Sequence, residues 1–203
     1  MEAETAESLY ARFEHDFWGC YEEGKRATPN MGAGKITWLI SVDEHGKSEC
    51  VVPMQDTGFT QKVEDCMAER IAREQFAPGS EWSASLPIRV REGKMQLGAR
   101  GRSGELETLE WHGIDDEDVT TTVQGLLPSL TKCVQSAPID RARTIRVGAR
   151  IGADGKVTCA LASGSRRVPH EVKQCTINTL SGAHFHKPKG GFGLVSIPIQ
   201  LTR

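Results

Sequence analysis

The sequence predicts an α+β protein built as two tandem α-β-β-α-β units. Each unit is expected to be a three-stranded antiparallel sheet, order 2-1-3, with two helices on one face. Three observations predict it. First, the chain repeats itself: adding 109 to positions 36–76 aligns Ile36 with Ile145, Gly46 with Gly155, Cys50 with Cys159, Cys66 with Cys175 and Phe76 with Phe185. Second, each copy alternates helical spacing of apolar residues with period-two spacing, the marks of helices and half-buried strands. Third, each copy closes on a similar strand carrying a proline, Leu86-Pro87-Ile88 and Ile197-Pro198-Ile199. The expected domains are 1–91 and 115–203, joined by a connector at 92–114.

Each element has a local reason. Leu9, Phe13, Phe17, Cys20 and Tyr21 form one apolar stripe, so they predict a helix that Gly24 and Pro29-Asn30 end. Ile36, Trp38, Ile40 and Val42 alternate and line one face of a strand. Asp43-Glu44-His45-Gly46 is a hairpin signal, and Ser48 to Met54 returns beside the first strand. Thr57 or Thr60 caps a second helix running to about Glu74, with Val63, Cys66, Met67, Arg70 and Ile71 near one face. Trp82 to Val90 is the last strand of this copy.

The second copy repeats the plan. Asp115-Asp116-Glu117-Asp118 opens a helix where acidic side chains complement the dipole. Val119, Val123, Leu126, Leu127, Leu130, Cys133 and Val134 form its stripe. Pro128 is expected to kink this helix or to begin a shorter one. Ile145, Val147, Ala149 and Ile151 alternate, Ala153-Asp154-Gly155-Lys156 is the hairpin, and Val157 to Ala162 follows. A helix near 168–180 and a strand near 193–201 complete the unit. The connector is expected to be a linker or an extra hairpin on the first sheet, from Lys94–Leu97 and Leu106–Trp111. A right-handed crossover sets the third strand beside the first. The third strand is then an edge, which suits Pro87 and Pro198 because proline cannot donate to an inner ladder.

Composition narrows the function classes. The 203 residues are 38% hydrophobic and 26% charged, with a net charge of -2. That balance offers no electrostatic case for nucleic acid or an anionic membrane. No apolar run approaches the ~20 residues that span a bilayer. No Walker loop, dinucleotide fingerprint or Gly-x-Ser-x-Gly is present. The six cysteines fall three per copy, a pattern that suits disulfides and an oxidising compartment. The alternative is buried free thiols in a cytosolic protein.

The order of these motifs resembles TonB C-terminal-like domains, and within them the cysteine-bearing AgmX/PglI type of gliding-motility and envelope proteins. The residues that carry the likeness are Cys20-Tyr21-Glu22, Asp43-Glu44-His45-Gly46-Lys47, Val63-Glu64-Asp65-Cys66 and Phe76-Ala77-Pro78. In the second copy they are Cys133, Ala153-Asp154-Gly155-Lys156-Val157, Val172-Lys173-Gln174-Cys175 and Phe185-His186-Lys187-Pro188 with Gly190-Gly191. The likeness covers all but the start of the chain and the connector. It implies a cell-envelope protein, periplasmic or an outer-membrane lipoprotein, that holds a protein partner without chemistry of its own. Two copies with no visible anchor depart from the usual single terminal domain of energy transducers.

Site expectations follow. Cys20 and Cys66 lie on the two helices that cover one sheet face, and Cys133 and Cys175 repeat this. Bonds Cys20–Cys66 and Cys133–Cys175 are expected, each worth on the order of 3–4 kcal/mol by loop-closure entropy. Cys50 and Cys159 are a candidate third pair that would tie the copies together, although six cysteines admit many connectivities. A protein or extended-peptide partner is expected along the third-strand edges, at Ser83, Ser85, Pro87 and Arg89 and at Ser196, Pro198 and Gln200. A purely structural envelope component, with edges paired within the chain or across a homodimer, is the alternative, and a cytosolic scaffold stands further off. His184, His186 and His170 are the nearest approach to a zinc site, but Cys-x-x-Cys and His-x-x-x-His are missing, so neither metal nor cofactor is expected. The carboxylates Glu22-Glu23, Asp43-Glu44 and Asp115 to Asp118 sit at helix ends or loops, so no catalytic residue is expected.

Overall fold

A computed structural model describes residues 5–79, 81–91, 94–97, 109–135, 143–164 and 168–201. The chain divides into two compact units between Gly101 and Arg102. The class is α+β, with four helices and two four-stranded antiparallel sheets among the described residues. No helix among those residues is long and apolar enough to cross a membrane.

The first unit runs α1 (Ala6–Ala27), β1 (Gly34–Val42), β2 (Ser48–Thr57), α2 (Gln61–Arg73), β3 (Trp82–Arg91) and β4 (Lys94–Leu97). Thr5 caps α1 by accepting from the Ser8 amide. Leu9, Phe13, Phe17, Cys20, Tyr21 and Gly24 make its buried stripe. Against it lie Ile36, Trp38, Ile40 and Val42 of β1, which share one sheet face because side chains alternate along a strand. Phe76 joins the layers edge-on, 6.3 Å from the Phe13 ring and 5.2 Å from Trp82.

The second unit runs β5 (Glu110–His112), α3 (Asp116–Gln135), β6 (Arg143–Ile151), β7 (Val157–Gly164), α4 (His170–Ser181) and β8 (Gly193–Leu201). Ile145, Val147, Ala149 and Ile151 meet Val119, Val123, Val172, Leu180 and Phe185 in its core. Helix α3 is continuous from Asp116 to Gln135 with Pro128 inside it, so the proline does not begin a shorter helix.

The hairpins match at their glycines, while their turn aspartates fall at different aligned positions, Asp43 opposite Gly152 and Asp154 opposite His45. Gly46 takes φ 79° and Gly155 takes φ 86°, a region L side chains avoid. The Gly46 carbonyl accepts from the Phe76 amide and the Gly155 carbonyl from the Phe185 amide, each at 2.9 Å. Asp43 Oδ1 accepts from the His45 and Lys47 amides, and Asp154 Oδ1 from the Lys156 amide. An Asx turn thus sets each hairpin, and each packs on the residue that leaves the second helix.

The sheets correct one expectation. Each has four strands rather than three, in the orders β2-β1-β3-β4 and β7-β6-β8-β5. The added strands come from the connector, and they go to different sheets. Lys94–Leu97 pairs with Ile88–Arg91, whereas Glu110–His112 pairs with Leu194–Ser196. An extra hairpin formed by both stretches on the first sheet is therefore ruled out. Strands of four and three residues carry almost no period-two signal; the first is held by the strand just before it, with Lys94 opposite Arg91, and the second by a strand more than 80 positions away, with His112 opposite Leu194. Residues 98–108 lie outside the described residues.

Candidate functional site: helix staples and third-strand edges

The crosslinks follow from the helix stripes. Cys20 belongs to the buried stripe of α1, and Cys66 lies on α2 one turn after Val63. Their Cα atoms are 5.7 Å apart and the two sulfurs are bonded. A Cβ at Gly24 would meet Val63 Cγ2 at 2.1 Å, so the small residue lets the helices approach. Beside the bond, Lys62 donates to Glu23 across the two helices at 3.0 Å. This hydrogen bond, then the lysine charge, holds the Glu23 carboxyl below its ordinary range. In the second unit Cys133 and Cys175 are bonded, with Cα atoms 5.5 Å apart. Cys50 and Cys159 are disulfide-bonded as well, so no cysteine is free. Oxidised cysteines suit an oxidising, non-cytosolic environment.

The edge residues share a face. Ser83, Ser85, Pro87 and Arg89 stand opposite Ser41, Leu39, Thr37 and Lys35, all on the side away from the helices. Ser196, Pro198 and Gln200 stand opposite Gly148, Arg146 and Thr144 on the corresponding side of the second sheet. The third strand is only partly an edge. Arg89 pairs with Gln96 of β4, and Ser196 with Glu110 of β5. Among the described residues, no strand pairs with the outer side along Trp82–Pro87 and along Ile197–Leu201; Ser83 and Gln200 are exposed there, whereas Pro87 and Ser196 are buried. Arg146 was not singled out by sequence reasoning: it is fully buried, and its guanidinium donates to the Ser196 hydroxyl at 3.0 Å. An arginine at an alternating strand position reads as solvent-facing, so nothing local marks it.

The histidines are dispersed. His184 Nδ1 meets the Phe185 carbonyl at 2.9 Å, and His170 opens α4. His186 turns instead to the start of α3. The buried Asp118 carboxylate accepts from the His186 amide at 2.8 Å and meets its ring Nδ1 at 2.7 Å. Next to it Lys189 reaches Asp115 at 3.0 Å, and the Lys189 amide donates to the Gly113 carbonyl at 2.7 Å. Trp111 Nε1 donates to Asp116 Oδ1 at 2.9 Å. No three His, Cys, Asp or Glu side chains converge as a metal site among the described residues. The arrangement fastens the loop before β8 to a helix N-terminus, where carboxylates are favoured. Sequence reasoning placed these acids at the helix start but missed His186, 68 residues from Asp118.

Two consequences can be measured. Asp118→Ala removes both acceptors for His186 and the helix-start charge, so it will cost about 1–3 kcal/mol in chemical denaturation. An unchanged midpoint would remove the clamp from the account. Asp115 titrates below its ordinary value, chiefly because Lys189 donates to it. Its contribution is present above the unfolded carboxylate range and is lost as pH falls through the folded value. Lys189→Met will therefore flatten the acid limb of the stability curve; an identical limb argues against the pair.

Comparison with protein-family models, with curated proteins and with solved structures finds no match to this chain.

Proposed function

We propose that the chain is a non-enzymatic binding module of the cell envelope, stapled by its cysteines, that takes an extended peptide segment of a protein partner along its third-strand edges. One observation carries the reading. In each unit a short piece of this chain already pairs antiparallel onto that edge, and each leaves a further stretch open. An edge with unpaired amides and carbonyls is a template for strand addition. Pro87 and Pro198 fit because a strand proline sits where its nitrogen faces away from the inner neighbour. By alternation the amides of Ser83, Ser85 and Gln200 face outward with them. The resemblance to TonB C-terminal-like domains supports the same role.

The test uses the intact oxidised chain and a phage-displayed library of random peptides. Selected peptides are expected to perturb the amide resonances of Ser83, Ser85 or Gln200. Ser85→Pro and Gln200→Pro each delete one outward donor and spare the inner ladder. They will weaken binding at their own unit by about three- to tenfold, the worth of a hydrogen bond. Binding indifferent to both variants, or a library that yields no extended binder, would overturn the proposal. In that event the role as a structural envelope component stands in its place.

A further inference from the structure

We propose that the Cys133–Cys175 bond is a thiol-exchange site, one that a dithiol opens in the folded protein before it opens Cys20–Cys66. The two bonds occupy matching places, with one sulfur on a buried helix stripe and the other on a partly exposed helix face. Their surroundings differ. Lys62 precedes Cys66 by one helical turn and Glu23 follows Cys20 by one, so their ion pair lies beside the first bond. The residue aligned with Lys62 is Glu171, and Cys175 opens on a shallow concavity along α4 lined by His170, Glu171, Gln174, Asn178 and Thr179. A nucleophile therefore reaches the Cys175 sulfur without parting an ion pair.

The leaving side differs too. Thr179 Oγ1 lies 3.6 Å from Cys133 Sγ and donates to the Cys175 carbonyl at 2.9 Å. Rotation of that hydroxyl turns its proton toward Cys133. The residue aligned with Thr179 in the first unit is Arg70, which has no hydroxyl.

The chemistry balances with a dithiol as co-reactant. One thiolate of the dithiol attacks Cys175 Sγ, a new S–S bond forms, and the Cys133–Cys175 bond breaks. Cys133 leaves as a thiolate, accepts a hydrogen bond from Thr179 and then takes up a proton. The second thiol of the dithiol attacks the mixed disulfide and releases Cys175 as a thiol. Two electrons and two protons pass to the protein and the dithiol becomes a disulfide. Thr179 is a positioning residue in this scheme.

The experiment treats the intact chain, without denaturant, with increasing dithiothreitol at high salt, which screens the anionic attacking thiolate from the charges of Lys62 and Glu171. Free thiols are trapped by alkylation and assigned by peptide mass, and the comparison is between the two helix–helix bonds. Cys133 and Cys175 are expected to label at least about tenfold faster than Cys20 and Cys66, a difference of about 1.4 kcal/mol in barrier. Thr179→Val, which keeps the shape and loses the hydroxyl, will slow that labelling by roughly three- to tenfold. Thr179→Ser will restore it, which a purely structural role of Thr179 does not predict. Equal or faster opening of Cys20–Cys66 overturns the proposal. So does labelling of all sites together with unfolding, or a rate indifferent to Thr179→Val.

Discussion

Replacing Cys133 and Cys175 together by alanine will lower the unfolding free energy of the second unit by about 4 kcal/mol. The bond closes a loop of 42 residues in sequence separation, and its loss returns that loop's freedom to the unfolded chain. The matching pair Cys20 and Cys66, separated by 46, will cost nearly the same. A unit of about 100 residues has a total stability of about 5–15 kcal/mol, so one staple is a large share of it. The melting temperature will fall by on the order of 15 °C or more. Differential scanning calorimetry of the double variants checks this, under oxidising conditions so that the other bonds stay closed. A fall of less than about 1 kcal/mol would mean that the helices are held by packing alone, as a well-filled core allows. The single variants are poor probes, because a lone thiol invites rearrangement of the remaining bonds.

The second large effect belongs to the hairpin glycines. Gly46→Ala and Gly155→Ala will each destabilise their unit by about 2–4 kcal/mol. Two costs add. A left-handed backbone costs an L residue roughly 1–2 kcal/mol. A Cβ at Gly46 would also stand 2.1 Å from the Phe76 carbonyl oxygen, and one at Gly155 the same distance from that of Phe185. Those atoms are backbone, so relief requires the hairpin to part from the segment leaving the second helix. The hydrogen bonds that the Phe76 and Phe185 amides donate to the glycine carbonyls then weaken. Gly19→Ala is the control: it sits on the exposed side of α1 with nothing within 4 Å of an added Cβ. That change will stabilise by about 0.5–1 kcal/mol, because alanine is the better helix former. Urea denaturation of the three variants decides the matter by sign. A neutral Gly46→Ala would show that the hairpin does not rest on the Phe76 segment.

Local features made much of this legible. The stripe of Leu9, Phe13, Phe17 and Cys20 names a helix face because the 3.6-residue period is short-range. The alternation of Ile36, Trp38, Ile40 and Val42 names a strand face for the same reason. The hairpin at Asp43–Gly46 is encoded in four residues, and its recurrence at Gly152–Gly155 gives the offset of 109 that relates the two halves. Cys20 and Cys66 could be placed across from each other because both lie on helices over one sheet face. The open stretches at Ser83–Pro87 and Pro198–Gln200 were marked by prolines.

Other features had no local sign. Lys94–Leu97 and Leu106–Trp111 read as strand-like, but nothing in such short stretches says which sheet each joins. Each strand exists because a partner supplies its ladder, the preceding strand for Lys94–Leu97 and a distant one for Glu110–His112, so a third strand that reads as an edge is in part covered. The Asp118–His186 contact joins residues far apart in sequence through a loop that takes no regular form. Arg146 reads as surface and is buried.

The sequence by itself determined the element types, the alternation of buried and exposed positions, the hairpin chemistry and the cysteine placement, because each depends on neighbours within a few residues. Only the tertiary structure decided the number of strands in each sheet, which part of the third strand stays open, and which partners Asp118 and Arg146 meet. These are choices among many distant pairings of similar local energy, and they are settled by the sum of contacts that the whole chain makes at once.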